Sequence, residues 1–386
     1  MKKRFLRDIA EIQTGPFGSQ LHKEDYVDVG TPIVTVEHLG SRVFSEQNLP
    51  MVSDADKSRL SKYVLKKGDI VFSRVGSVDR CSFVDQKHDG WMFSGRCLRV
   101  RPSEEVEPLF LYYFFCLNAT KEFVRSIAVG ATMPSINTKL LGEVEVVCPG
   151  IEEQRKIADI LSKIDDKIEE NQKINENLQQ QAQALFTQCY EQADVSVPFT
   201  VLIQVLGGGT PKTGEASYWN GEIPFFTPKD VGTPYTLTTE KTITQSGLEH
   251  CNSRLYPVNT VFVTARGTVG KVGLAGVPMA MNQSCYALTG KSISPLLTYH
   301  YTLMTVAHLK HKASGAVFDA IITRDFETET VKKLSDTLAE QFVAVASPIY
   351  ECILNNTLES QRLADLRNAL LPKLMSGELD ASDIEL

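Results

Sequence analysis

The sequence predicts an α+β fold in which two structurally related α/β domains are separated by two long antiparallel helices that form a coiled coil. Three observations predict it: a heptad stripe in the middle of the chain, a matching stripe near its end, and short β-rich segments that recur at a similar offset. Together they describe a pseudo-twofold internal repeat. We therefore divide the chain into a first domain (1–150), a first helix (151–191), a second domain (192–337) and a second helix with a C-terminal tail (338–386).

The first stripe lies between Glu152 and Tyr190, a stretch without Gly or Pro. Its residues recur in steps of three and four, which places them on one face of a helix and requires a partner helix. At about 1.5 Å per residue, this stripe spans roughly 42 Å. The residues predicted on this seam are Ile157, Leu161, Ile164, Ile168, Asn171, Leu178 and Leu185, with Asn175 and Ala182 on the same face.

The second stripe repeats the first at an offset of 185 residues, so that Asn356 takes the place of Asn171. A polar residue on such a seam usually fixes register and partner, and we expect the two Asn to meet there. The alternative is two ordinary exposed Asn on an interrupted stripe. Pro348 is expected to kink this helix or delay its start, and Arg367 to interrupt its stripe. The residues predicted on the second seam are Ile349, Ile353, Asn356, Leu363 and Leu370.

The domains contain short β-rich runs with turn residues at their ends, and one helical stretch precedes each long helix. Strands followed by helices without regular alternation indicate an α+β domain. The C-terminal tail, 373–386, is acidic and is expected to be loosely held. The predicted strands are 32–36, 69–73, 96–101 and 143–148 in the first domain and 223–227, 260–264 and 284–288 in the second; the helical stretches are 108–126 and 295–313.

Composition narrows the class of protein. With 42% hydrophobic and 23% charged residues, the chain has the composition of a soluble globular protein, and no apolar run is long enough to span a membrane. The N-terminal MKKRFLRDIA lacks the apolar core of a signal peptide. The eight Cys are scattered and form no metal-binding spacing, so we expect reduced thiols, no metal site and a cytoplasmic protein.

The net charge of −7 is concentrated in the helices. Residues 1–150 carry 20 Lys and Arg against 19 Asp and Glu, whereas residues 151–191 carry 5 against 9. The near-neutral domains can therefore each present a local basic face to nucleic acid.

Motifs of catalysis are absent from the sequence. An adenine methyltransferase would need an Asn/Asp-Pro-Pro-aromatic motif and a Gly-rich cofactor turn, and neither occurs. The segment 265–272 lacks the first Gly of a phosphate-binding loop and has Val272 where Ser or Thr must reach magnesium. We therefore expect no catalytic residue in this chain.

Two further motifs complete the pattern: EEQRKIADILSKID at 152–165 and LLPKLMSGEL at 370–379. With the repeated domains and matched helices, they resemble the specificity subunit of type I restriction-modification systems over essentially the whole chain. The resemblance implies two target-recognition domains, each reading half of an asymmetric, two-part site in double-stranded DNA. It also implies that the helices hold the domains apart and dock two modification (methyltransferase) subunits, which motor-nuclease restriction subunits then join. Such a subunit carries no cofactor itself, and S-adenosylmethionine, ATP and magnesium are expected on its partners.

Base edges are read by Arg, Lys, Asn and Gln, and phosphates are held by hydroxyls and cations. Each candidate also has a structural interpretation: a solvated turn for residues 15–23, a surface ion pair for the arginines after strand 69–73, and a core position for Trp219 beside residues 209–213. The candidate DNA contacts are Ser19, Gln20, His22, Lys23, Arg74 and Arg80 in the first domain, and Thr210, Lys212, Thr264, Arg266, Thr268 and Lys271 in the second.

Two alternative functions stay open at this point. One is the specificity subunit of a type IIB-like restriction enzyme, a single complex that cuts on both sides of its site. The other is a non-catalytic coiled-coil scaffold with two ligand-binding domains, which would lack the steep salt dependence of DNA binding.

Overall fold

We analysed a computed structural model that describes residues 2–384 except 17, 19 and 313–319, and of Lys23 the backbone alone. The contacts divide the chain into two compact units. The first unit comprises Met1–Lys167 with Leu363–Leu386, and the second comprises Ile168–Arg362.

The first unit is built on a four-stranded antiparallel sheet, its main sheet, in the order Ala10–Thr14, Cys97–Pro102, Ile70–Ser73, Cys81–Phe83. All four residues of strand Ile70–Ser73 are buried, as expected of a central strand covered on both faces. A second sheet has the order Tyr26–Val27, Met51–Val52, Thr31–Val34, Met92–Phe93, and a two-stranded sheet pairs Lys2–Phe5 with Glu145–Cys148.

The first unit's helices cover the main sheet. Pro108–Cys116 begins with Pro at its first turn, where the missing N–H costs nothing, and buries Phe110–Phe115. The predicted helix 108–126 is interrupted at Leu117 and continues as Asn118–Ser126. The remaining short helices of the described part of this unit are Leu6–Ile9, Asp54–Arg59 and Thr138–Gly142.

The second unit repeats this plan. Its main sheet has the order Ile203–Gly207, Cys285–Gly290, Val261–Thr264, Val272–Ala275, Tyr235–Thr236. A three-stranded sheet has the order Thr242–Ile243, Trp219–Phe226, Ala280–Met281, and Val195–Pro198 pairs with Thr330–Lys333. The helices of its described part, besides the long ones, are Phe199–Leu202, Gln245–Glu249, Pro295–Lys312 and Thr323–Thr328.

Two helices of 41 residues pass through both units: the central helix, Ile151–Glu191, and the C-terminal helix, Asp336–Ser376. The expectation that Pro348 delays the second of them is wrong, since Pro348 lies well inside a helix that begins at Asp336. The expectation of a loosely held tail is also wrong through Ile384. Ala381 is buried, Leu379 and Ile384 pack on the first unit's core, and Lys156 Nζ donates to Ser382 Oγ at 2.9 Å.

In the first unit the helices pack antiparallel around an apolar seam. Ile157 and Leu161 share one buried cluster with Leu371 and Leu374, and Ile164 is buried beside them. Leu363 and Leu370, which were predicted on the seam, are half-buried, because the buried face has shifted by one residue to Leu371.

In the second unit the seam has a polar centre. Asn171 is 1% exposed and donates from Nδ2 to Glu359 Oε2 at 2.7 Å and to the backbone oxygen of Asn356 at 3.5 Å. Asn356 Nδ2 donates instead to Asn175 Oδ1 at 2.9 Å. The matched Asn171 and Asn356 thus meet through the side chain of Asn171 and the backbone oxygen of Asn356. The side chain of Asn356 has Asn175 as its partner, which sequence matching missed.

Apolar packing flanks this polar centre. Ile353 is fully buried, and Ile168, Leu178, Leu185 and Ile349 are half-buried. The seam ends on Phe186, whose ring lies 5.6 Å from that of Phe342 and 5.1 Å from that of His300.

Asn175→Ala is expected to lower the free energy of unfolding of the second unit by about 1–2 kcal/mol, because the half-buried Asn356 amide loses its acceptor. In a Trp91→Phe background, Trp219 fluorescence reports urea unfolding of this unit alone. Asn177→Ala is the matched control, since Asn177 is exposed on the same helix. An equal loss in both variants would show that the cross-helix hydrogen bond contributes nothing.

Candidate nucleic-acid interface

The candidate loops of the first unit meet at one edge of its main sheet. The register pairs Thr14 with Leu98, Ser73 with Cys97 and Phe72 with Cys81. The chain therefore leaves the sheet after Thr14 and Ser73, and enters it at Cys97 and Cys81, at the same end. We call this end the loop edge.

The second unit has the same loop edge. Gly207 pairs with Tyr286, Thr264 with Cys285, and Val263 with Val272. Segments 208–213, 265–271 and 282–284 consequently lie together, as segments 74–80 and 94–96 and the described residues of segment 15–22 do in the first unit.

A glycine lets the first loop cross the sheet end in both units. A Cβ on Gly15 would lie 2.2 Å from the backbone oxygen of Ser94, and a Cβ on Gly208 would lie 2.2 Å from that of Asn282. No side chain tolerates such an approach to backbone. These glycines hold the first loop against the segment that starts the next strand.

Backbone hydrogen bonds fix the second loop in both units. Arg74 N donates to Arg96 O at 2.8 Å and Ile136 N donates to Arg74 O at 2.9 Å. In the second unit, Ala265 N donates to Ser284 O at 2.8 Å and Ile321 N donates to Ala265 O at 2.9 Å. Arg74 is therefore the counterpart of Ala265, and Arg266 is one position further along, so the two arginines point differently.

The first-unit candidates are partly engaged in holding the loops. Gln20 is half-buried and accepts the hydroxyl of Tyr63 at 2.6 Å, which favours a structural role. His22 is exposed, and its backbone N–H donates to Asp25 at 2.7 Å. Ser19 and the side chain of Lys23 lie outside the described residues.

Arg74 and Arg80 brace neighbouring segments with part of each guanidinium. Arg74 donates from one terminal nitrogen to Gly95 O at 3.1 Å, and Arg80 donates to the backbone oxygen of Leu39. Arg80 is exposed and Arg74 half-buried. The structural interpretation considered for these two arginines was a surface ion pair with Asp79. Asp79 instead forms an ion pair with Arg125, at 2.7 Å.

A cavity of about 590 Å³ opens at this loop edge. Its lining includes Gly18 and Leu21 from the first loop, His38 and Glu37 from a short 3-10 turn, and Arg96. Arg96 and Glu37 are exposed and offer a donor fork and an acceptor, the complementary chemistry that base edges require. Sequence reasoning missed Arg96 because it was assigned to strand 96–101; its position at the very start of that strand was the available signal.

In the second unit Arg266 is the most available cation of the second loop. It is exposed and lies between Ser284 and Ala320, and no hydrogen-bond or ion-pair partner for its guanidinium exists among the residues that the structure describes. Lys271 is also exposed, and Lys310 lies beside the loop, against Gly270.

Thr264, a predicted DNA contact, does not lie on the surface of its loop. It is fully buried, and its hydroxyl donates to the backbone oxygen of Thr268 and accepts Lys271 N–H at 2.9 Å. It shapes the loop and cannot contact DNA from this position. Thr268 is exposed, but its hydroxyl donates to Pro228 O at 3.1 Å.

The first loop of the second unit is held by an aromatic residue. Trp219 is half-buried and donates from Nε1 to Lys212 O at 3.1 Å, which leaves the Lys212 side chain exposed. Thr210 is half-buried, and its hydroxyl pairs with Gln283 at the same edge.

Helix Pro295–Lys312 approaches this edge, and its last turn forms hydrogen bonds with a buried carboxylate. Glu329 is 3% exposed and accepts His308 Nδ1 and Lys312 Nζ, each at 2.6 Å. Burial alone would raise the pKa of Glu329, but the hydrogen bonds from Lys312 and His308 outweigh it and lower that pKa. These two hydrogen bonds to Glu329 fix the last turn of helix Pro295–Lys312 beside the Arg266 loop.

Metal sites and membrane spans are two further classes of feature. Within residues 2–384, leaving out the undescribed positions, three or more His, Cys, Asp or Glu side chains nowhere cluster in a way that could hold a metal ion. No helix in the same part of the chain is long and apolar enough to cross a membrane.

Comparisons with known proteins agree with this geometry. The family model described as the type I restriction modification DNA specificity domain matches residues 1–180 and 201–332. The type I restriction enzyme HindI specificity subunit of Haemophilus influenzae is 24% identical, over 83% of this chain and 88% of its own. The MjaIX specificity subunit of Methanocaldococcus jannaschii is 23% identical, over 98% and 93%.

Among solved structures, the S subunit of a type I restriction-modification system from M. genitalium superposes with a TM-score of 0.60 at 15% identity. The match covers 97% of this chain and 95% of that one. At this identity the likeness concerns the fold, and it confirms the predicted two-domain α+β architecture with two long helices.

Proposed function

This chain belongs to the type I restriction-modification DNA specificity family, and from that membership we propose that it selects the DNA sequence on which partner subunits act. Each unit reads one half of a two-part site in double-stranded DNA through its loop edge. The observation that carries the proposal is the convergence, in both units, of exposed cations from separate loops on the same end of the main sheet.

The two loop edges differ in chemistry, which supports an asymmetric site. The first presents Arg74, Arg80 and Arg96. The second presents Lys271 at the position of Arg80, and Arg266 one residue out of register with Arg74. Donors at different positions match different base patterns in the major groove. The two half-sites are therefore expected to differ in sequence.

The chain itself carries no chemistry in this proposal. Two methyltransferase subunits dock on it and supply S-adenosylmethionine, and motor-nuclease subunits supply ATP and magnesium. The support for this part of the proposal is the family membership.

Salt dependence tests DNA binding as such. A chain that neutralises several phosphates loses affinity in proportion to a power of the salt concentration. Fluorescence anisotropy of the full chain on duplex DNA is expected to show a steep loss between low and physiological salt. A flat response would favour the scaffold alternative.

Arg266→Ala is expected to reduce discrimination at one base pair of the second half-site by roughly tenfold or more, because one bidentate contact is worth about 1–3 kcal/mol. Selection of bound duplexes from a randomised pool, followed by sequencing, measures the preference at every position.

Lys333→Ala is the matched control for that variant. Lys333 is exposed and lines the same groove as Lys291, which follows Gly290 at the opposite end of the main sheet from Thr264. It is expected to leave the selected sequence unchanged. Unaltered selection by Arg266→Ala as well would remove Arg266 from the interface.

A further inference from the structure

A second cavity of the first unit, about 240 Å³ in volume, is lined by two cysteines. Cys81 begins strand Cys81–Phe83, and Cys116 ends helix Pro108–Cys116. Cys81 is 6% exposed and Cys116 is half-buried. The same cavity is lined by Tyr112 and by charged side chains of both signs, so small polar molecules can reach a site that holds two thiols and several cations. The charged lining residues are Lys121, Arg42, Arg80, Arg367, Asp79 and Asp165.

Strand and helix geometry places the two cysteines opposite each other. The rings of Phe83 and Tyr112 pack at 6.1 Å, which fixes the register between the two elements. Two residues along a strand advance about 6.6 Å on the same face, and four along a helix advance about 6 Å on the same face. Moving by these steps from Phe83 and Tyr112 reaches Cys81 and Cys116, and both cysteines line the same cavity.

The surroundings distinguish the two sulfurs. Hydrogen bonds from Cys81 and Tyr112 and the nearby Lys121 ammonium lower the pKa of the Cys116 thiol, although burial opposes them. The same contact with Cys116, together with burial, raises the pKa of Cys81. A thiolate is the reactive form of cysteine, and Cys116 is also the more exposed of the two residues. Cys116 therefore has the character of an attacking sulfur and the buried Cys81 that of a resolving one.

We propose that Cys116 and Cys81 form a peroxide-sensitive thiol pair, with the cavity as the binding site for the peroxide. The Cys116 thiolate attacks one oxygen of hydrogen peroxide, the O–O bond breaks, and hydroxide leaves, so that the sulfur becomes a sulfenic acid. Cys81 then attacks that sulfur as its thiol proton is transferred to the departing hydroxyl, which leaves as water. The sulfurs are oxidised to a disulfide and the peroxide is reduced.

The remaining cysteines provide internal references. Cys97, in the same unit, is fully buried, and burial raises the pKa of its thiol to about 12. Burial also raises the pKa of Cys148. Cys352 is exposed, and its Sγ accepts a hydrogen bond from Asn356 Nδ2 of the same helix at 3.8 Å. A cytoplasmic disulfide that forms reversibly usually serves sensing, because the surrounding thiol pool reduces it again.

The pair adjoins the loop edge directly, since Cys81 follows Arg80 in the chain. A disulfide pulls the start of strand Cys81–Phe83 toward the helix and displaces Arg80, which is expected to weaken reading of the first half-site. This consequence rests on the proposed function; the thiol chemistry does not.

The test treats the reduced full chain with hydrogen peroxide, alkylates the remaining thiols and analyses tryptic peptides without reduction. Trypsin releases Cys81 in peptide 81–87 and Cys116 in peptide 100–121. The expected product joins these two peptides, and it forms before Cys352 is oxidised. In Cys81→Ser the sulfenic acid on Cys116 persists and is trapped by dimedone. Cys116→Ser abolishes the linked peptide, and Cys148→Ser leaves it unchanged.

The proposal would be overturned if peroxide oxidised Cys352 while Cys81 and Cys116 both stayed free thiols and were recovered as alkylated cysteines. Folding of each variant is checked by circular dichroism. Where a variant does not fold, the peptide analysis of the chain without substitutions provides the result. DNA selection before and after peroxide forms a separate arm. Linkage without any change in the first half-site would reject the effect on DNA and leave the thiol pair in place.

Discussion

Replacing Arg367 with Met is expected to lower the free energy of unfolding of the first unit by about 3 kcal/mol, because it leaves a carboxylate buried without its cation. Arg367 lies on the C-terminal helix and donates to Asp165 Oδ1 of the central helix at 2.5 Å. The Asp165 side chain is 7% exposed and that of Arg367 is 29% exposed. Removing one partner of a buried pair typically costs about 3–5 kcal/mol.

The lower end of that range is expected because Asp165 keeps a second partner. Tyr113 donates its hydroxyl to Asp165 Oδ2 at 2.7 Å. Asp165→Asn removes the charge and retains an acceptor for Tyr113, so it should cost less than Arg367→Met. The double variant should recover part of the loss, because no unpaired carboxylate then stays buried.

The two tryptophans allow the measurement to be confined to one unit. Trp91 lies in the first unit and Trp219 in the second. In a Trp219→Phe background, urea unfolding followed by fluorescence reports the first unit alone. Lys373→Met is the control on the same helix, because its pair with Glu378 spans 3.8 Å between side chains that are 54% and 67% exposed. Such pairs contribute about 0–1 kcal/mol. Equal losses in the two variants would show that the Asp165 pair has no special weight.

Arg367 also shows what the sequence could not reveal. Periodicity identified both helices and most seam positions, since apolar residues at helical spacing over several heptads are typical of a packed helix face. The same criterion treated Arg367 as an interruption. A pattern of polarity does not show that a charged side chain reaches an acidic partner at Asp165, 202 positions away. Asn175 was missed as a partner for the same reason.

The loop edges were predictable as segments and not as side chains. The internal repeat located the Arg74 and Arg266 loops, because turn residues and strand ends recur at a nearly constant offset. The direction of each side chain depends on single residues of register within a turn. Thr264 therefore points into its loop, whereas Arg266, two positions later, is exposed. Repeat matching placed Arg266 in the loop that corresponds to the Arg74 loop, and the hydrogen bonds place Arg74 itself opposite Ala265.

Exchanging the first unit for that of another member of the family is expected to replace one half-site completely and leave the other unchanged. The candidate contacts of the first loop edge all lie within residues 1–150. The unit's apolar core, however, also includes Ile157 and Leu161 from the central helix and Leu371 and Leu374 from the C-terminal helix. The full-unit chimera therefore exchanges residues 1–167 together with 363–386.

A second chimera with residues 1–150 alone separates recognition from stability. It carries the same loop edge on a mismatched core, so it should select the same new half-site but unfold at a lower urea concentration than the full-unit chimera. Selection from randomised duplexes reads both halves in one experiment, and the unchanged half provides an internal control for folding of the second unit. If both halves changed in the full-unit chimera, recognition would not be divided between the units. If neither changed, the loop edge of the first unit would not be the surface that reads DNA.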